Sequence, residues 1–273
     1  MNSLTTSPDF AAIKTKQQIA WGTGDYSVVG VTLQIVGERL CETLDLRSGQ
    51  QVLDVAAGNG NVSLAAARRF CEVTSTDYVA ELLERGQQRA EADGLDIDFR
   101  EADAENLPFE TESFDVVTSS FGVMFTADQQ TAASELARVC RSGGKIGLAN
   151  WTPDSFIGHL FKTIGKHLPP PAGLKSPALW GTEDHLSELF GASAKSIALH
   201  KQTYVWRYKS PTHWLNTWRT IYGPLNKAFA ALDADQQAAL ENDLLALIAE
   251  FNMADDGTMV VPSDYVEVIV TKS

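Results

Sequence analysis

Between Gln51 and Arg69 an acid, two glycines and a run of small residues make the stretch of this sequence best suited to holding a ligand. Residues 52–55 read as a buried strand, with Asp54 near its end, and residues 62–69 read as a helix. Gly58 and Gly60 lie in the turn between them, together with Ala56 and Asn59. Glycine lets a backbone turn sharply and approach a ligand with no Cβ in the way. A helix that starts just after such a turn directs unpaired N–H groups and its positive dipole end at whatever is bound. Asp54 can accept hydrogen bonds from amide or ammonium groups. Together these features make a seat for a small polar ligand at the carboxyl edge of a parallel sheet.

Two cofactor classes use such a seat. The dinucleotide fingerprint needs a third glycine at position 63, which is Ser63, and asks for no acid at position 54. The stretch resembles motif I of the class I S-adenosylmethionine-dependent methyltransferases, an acid followed by three alternating glycines. Ala56 stands where that family has its first glycine.

Further pieces carry the same resemblance in order. Asp77 closes the second strand, and a carboxylate there can accept both ribose hydroxyls of an adenosine. Tyr78 follows and could lie against the adenine face. A dehydrogenase places an acid similarly, so Asp77 alone does not discriminate. Asp103-Ala104 matches the family's loop after the third strand, where the acid accepts from the adenine amino group and the next backbone N–H contacts the ring. Residues 113–124 resemble the fourth-strand motif, with Ser119 and Ser120 read either as cofactor contacts or as hydroxyls bonded to backbone. Residues 138–145 resemble the turn into the fifth strand. The match spans residues 51–151 and looks most like the small-molecule branch that holds the quinone and sterol methyltransferases.

The resemblance implies S-adenosyl-L-methionine as cofactor, S-adenosyl-L-homocysteine as product, and contacts from Asp54, Ala56, Gly58, Asn59, Gly60, Asp77, Tyr78, Asp103, Ala104 and Ser120. A sulfonium methyl is already electrophilic, so the protein must chiefly align a nucleophile and exclude water. A general base is needed only when the attacking group holds a proton it cannot lose unaided. His159, soon after the fifth strand, is the candidate base; an ordinary helix-face histidine is the alternative. Trp21, Tyr26, Trp151, Trp180 and Arg219 are candidate substrate contacts. The aromatic residues could equally be the core of a cap, and Arg219 could sit in an exposed salt bridge.

The elements that position these residues alternate strand and helix between residues 51 and 151, the signature of a doubly wound, mainly parallel sheet. The expected fold is a Rossmann-like α/β sheet of seven strands with a terminal antiparallel strand and an inserted helical cap. Residues 1–9 read as loose and polar, 10–20 as a short helix, and 28–44 as one helix. Later helices are expected at 155–167, 183–190, 211–222 and 234–252, with strands at 196–208 and within 258–271. Residues 1–46 would form a lid over the cofactor, 47–151 the binding core, and 152–273 the cap plus the closing strands.

Composition bounds the rest. The chain has 273 residues, enough for a large single domain, and 44% hydrophobic residues support a sizeable core. With 22 basic against 35 acidic residues the net charge is −13, which disfavours nucleic acid or an anionic membrane as main partner. Cys41, Cys71 and Cys140 show neither a disulfide framework nor metal spacing, and the five histidines match no metal motif, so no metal is expected. No segment has the length or flanks of a signal or a membrane span, which points to the cytoplasm. A small molecule is the expected partner; acceptor atom and oligomeric state stay open. A non-catalytic S-adenosylmethionine-binding protein would share every cofactor motif, and an NAD-dependent oxidoreductase is the third reading.

Overall fold

The structure, a computed structural model, describes residues 8–23 and 25–273. Most of the stretch expected to be loose, and Gly24, lie outside the described residues.

Helices α1 (Phe10–Trp21), α2 (Tyr26–Gly30) and α3 (Gln34–Leu44) precede the sheet. Strand β1 (Gln51–Val55), helix α4 (Asn61–Ala67), strand β2 (Glu72–Asp77), helix α5 (Ala80–Asp93), strand β3 (Asp98–Glu101) and strand β4 (Phe114–Ser120) follow. Helix α6 (Gln129–Val139), strand β5 (Cys140–Trp151), and helices α7 (Phe156–His167) and α8 (Glu183–Phe190) come next. Strand β6 (Ala194–Tyr208), helices α9 (Pro211–Ile221), α10 (Gly223–Ala231) and α11 (Ala234–Phe251), and strand β7 (Met259–Lys272) complete the chain.

The seven strands form one sheet in the order β3-β2-β1-β4-β5-β7-β6. The four pairings among β3, β2, β1, β4 and β5 are parallel; β7 runs antiparallel between β5 and β6. Strand β1 is apolar on both faces because helices cover both: Val52, Leu53 and Val55 are buried. Its register sets Val52 opposite Val73 on one side and Val116 on the other. Strand order reverses at β1 and β4, so a crevice opens beyond their carboxyl ends, where an open α/β sheet binds ligands.

The expected helix over 28–44 is broken. Residues 31–33 form a tight 3-10 turn between α2 and α3. The break lays α2 on the glycine loop: a Cβ on Gly30 would sit 2.5 Å from Asn59 Oδ1. Strand β5 begins at Cys140, inside the 138–145 segment expected as a turn, and that turn survives as a register shift opposite Phe114 and Val116, with Gly143 at φ +71°. Helix α10 is an addition. Its Gly223-Pro224 start reads as a breaker, yet proline fits a first helical turn, where its missing N–H costs nothing.

One apolar core runs from α3 through the sheet to the cap, with Trp180, Trp206 and Trp214 fully buried in it. The three cysteines are free and buried. No described helix is long and apolar enough to cross a membrane.

Candidate cofactor and acceptor site

Asp54 is buried and bonded through both oxygens. One carboxylate oxygen accepts from the Ser63 backbone N–H at 2.9 Å and its hydroxyl at 2.6 Å; the other accepts from the Thr118 hydroxyl at 3.1 Å. Burial pushes its pKa up to about 6 against the downward pull of those bonds. The side chain therefore ties the glycine loop and the start of α4 to strand β4.

Asp77 is equally buried but less spent. Each oxygen accepts one backbone N–H, from Gly58 and from Val79, both at 2.9 Å. Each retains a lone pair, and the residue lines the crevice. Burial pushes this carboxyl up to about 6 as well, and the backbone bonds only partly offset it.

The loop between them has an unusual backbone. Ala56 adopts φ +51° and Gly58 φ +56°, both left-handed. Beyond β4, Phe121 is left-handed too, at +53°. A Cβ on Gly122 would overlap the Ala56 carbonyl oxygen, so the turns after β1 and β4 touch. Strained non-glycine residues on both sides of one crevice are the kind of feature that gathers at ligand sites. Asn59 faces the same crevice, is buried, and its Nδ2 has no partner among the described residues.

These parts bound a cavity of about 920 Å³, counting its mouth. Of the expected cofactor contacts, Asp54, Ala56, Gly58, Asn59, Asp77, Tyr78, Asp103, Ala104 and Ser120 line it. Gly60 does not; at φ +79° it turns the chain into α4. Ser119 also points elsewhere, accepting from the Val123 N–H at 3.1 Å. Helix α1 closes one side, with Lys14 bonded to Asp103, Gln17 to the Phe125 carbonyl, and Gln18 to the Tyr78 carbonyl. Lys14 and Gln17 were not visible as site residues, because nothing local ties them to partners about ninety and a hundred residues away.

A second chamber, of about 310 Å³, adjoins the first and shares Trp21, Tyr26, Leu33, Phe121 and Phe125 with it. Trp151 lines it, stacked on Phe121 with ring centres 4.0 Å apart. Two candidate substrate contacts lie elsewhere. Trp180 is buried against Phe190 in the core below α8. Arg219 lies over the Phe229 ring and donates to Gln237, which holds it within the cap helices. His159 lines neither chamber; its ring meets the edge of Phe251, on the face of α7 turned toward α11. Among the described residues no cluster of His, Cys, Asp and Glu could hold a metal ion.

Residues 53–148 match a methyltransferase-domain family model. An uncharacterized protein of Mycobacterium tuberculosis, Rv1403c, is 40% identical over 92% of this chain and 93% of its own length. Demethylmenaquinone methyltransferase of Deinococcus radiodurans is 33% identical over 145 residues, 52% of this chain and 60% of that protein. Phosphoethanolamine N-methyltransferase 2 of Haemonchus contortus, solved with S-adenosyl-L-methionine, shares the fold at a TM-score of 0.55 and 16% identity, over 87% of this chain and 52% of that one. Sheet order, crevice and sequence together define a Rossmann-like methyltransferase domain. Through the domain at residues 53–148 the chain belongs to the class I S-adenosylmethionine-dependent methyltransferases.

Proposed function

We propose that this protein transfers the methyl group of S-adenosylmethionine to a small-molecule acceptor in the aromatic second chamber. The observation that carries the reading is Asp77. A buried carboxylate at the strand end, held by two backbone N–H groups and with lone pairs left over, suits a ribose diol. The larger cavity's donor set fits the rest of the cofactor: the unpartnered Asn59 amide toward its polar amino-acid end, Asp103 toward the adenine amino group, and Tyr78 along the ring. Asp54 acts chiefly by shaping the loop, since its oxygens are tied to Ser63 and Thr118. When bound, the cofactor supplies an electrophilic methyl group on a positively charged sulfur.

On this reading residues 1–46 are the lid. Gln17, Gln18 and Lys14 fasten α1 over the crevice, and Trp21 and Tyr26 carry it to the junction with the acceptor chamber. Residues 47–151 bind the cofactor, and residues 152–273 add the acceptor wall through Trp206, Trp218 and Tyr222. The acidic net charge of −13 favours a small metabolite over nucleic acid, and the cytoplasm is the compartment proposed.

The test is calorimetric titration with S-adenosylmethionine, S-adenosylhomocysteine and NADH. Binding of the first two without the third is expected. Binding of NADH alone overturns the reading. Formation of S-adenosylhomocysteine with an acceptor then separates an enzyme from a protein that only binds the cofactor.

A further inference from the structure

We infer, resting on the methyl-transfer reading above, that the acceptor is an apolar aromatic molecule bringing its own ionised oxygen or sulfur, an aryl oxide or arene thiolate, to a chamber that offers donors and no base.

The chamber's polar inventory carries this. Among the described residues lining it there is no Asp, Glu, His, Lys or Arg. Its polar groups are the phenols of Tyr26 and Tyr222 and the indole N–H groups of Trp21, Trp151, Trp206 and Trp218, the last of which donates to the Tyr208 hydroxyl. Both phenols are pushed upward, chiefly by burial, so they stay protonated, and no hydrogen bond contributes to either shift. Trp206 is 1% exposed and its Nε1 has no partner among the described residues. Hydrogen-bond donors in the wall of an apolar cavity complement an acceptor on an apolar body.

The nucleophile follows from what is missing. A neutral alcohol would have to surrender its proton as it attacks, and no group here could take it. The ionisable groups near the junction, Asp54, Asp77, Lys14, Asp103 and Glu105, all line the cofactor cavity instead. Ring faces would attract an ammonium ion, but no carboxylate lines the chamber to neutralise it. An acceptor that loses its proton to solvent before entering needs no base. Its lone pair forms the new bond to the methyl carbon, and the carbon–sulfur bond breaks with its electron pair going to the cofactor sulfur. The anion and the sulfonium cancel each other's charge, a change that an apolar, water-poor site favours.

The test uses a matched pair of probes, 2-naphthalenethiol and 2-(aminomethyl)naphthalene, titrated calorimetrically at pH 8 into the complex with S-adenosylhomocysteine. The thiolate is expected to bind at least about tenfold tighter, and Tyr222→Phe to weaken it by about tenfold through loss of one charge-assisted bond. With saturating S-adenosylmethionine, the pH of half-maximal rate should move with the acceptor's own pKa across ring-substituted arene thiols and phenols. Equal or tighter binding of the amine, no binding of either probe, or a half-maximal pH that ignores the acceptor overturns the inference. Cofactor binding, measured first, reports separately on the methyl-transfer reading.

Discussion

The Lys14 ammonium lies 2.6 Å from the Asp103 carboxylate and 2.7 Å from that of Glu105, joining the first helix to the loop after β3. Burial alone would lower the lysine's pKa, but the bonds to Asp103 and Glu105 outweigh it and raise the value. On the proposed function, the group that meets adenine is also the one that holds α1 in place.

Lys14→Met should therefore release α1 more often. Dissociation of S-adenosylhomocysteine is expected to quicken about fivefold, the worth of a partly exposed ion pair near 1 kcal/mol. Stopped-flow displacement measures it, and an unchanged rate would remove the fastening role.

Asp77→Asn preserves shape and one set of acceptors but removes the charge. Affinity for S-adenosylmethionine should fall by about 1–3 kcal/mol, with folding intact by circular dichroism. Full affinity in the folded variant would sink the ribose assignment.

The raised carboxyls make cofactor binding depend on pH. Asp54 and Asp77 titrate near 6 in the folded chain, above an unfolded value near 4, because burial disfavours their charge. Their contribution to stability is complete below pH 4 and is lost as pH rises through 6. A ribose diol needs Asp77 ionised, so affinity should rise between pH 5 and 7 and protons should be released on binding. Calorimetry in buffers of different ionisation enthalpy reads that release; its absence at pH 6 would contradict the raised value.

Ala56 keeps a Cβ at φ +51°, where glycine is free of the clash. Ala56→Gly is expected to stabilise the chain by about 0.5–1 kcal/mol, a rise of roughly 1–4 °C in Tm by thermal unfolding. A lower Tm would mean that the methyl's packing matters more than the backbone strain.

His159→Ala should leave turnover nearly unchanged, because the ring meets Phe251 and neither chamber. Loss of a true general base would cost about 10²–10⁴-fold in rate. A drop of that size in a folded variant would return His159 to the chemistry.

The strands and the crevice at their ends were legible because their signals are local. Asp77 follows its own strand, and Gly58 sits in its own turn. The acceptor side was less legible. Tryptophan at 180, 206 and 218 looks alike in sequence, and only the packing sends Trp180 beneath α8 and the other two to the chamber. Arg219 faces Phe229, whose helix follows a Gly-Pro pair that reads as a break. Lys14 and Gln17 declare themselves only through partners remote in the chain.

Trp21, Tyr26, Leu33, Phe121 and Phe125 belong to both chambers at once. On the proposed function, a change at any of them alters the fit of cofactor and acceptor together. Ile157, Phe161, Trp206 and Trp218 border the acceptor chamber only. On the same reading, acceptor choice therefore has an open route to change along that outer wall and a closed one through the shared partition, because only the outer wall can be altered without touching the methyl donor's seat.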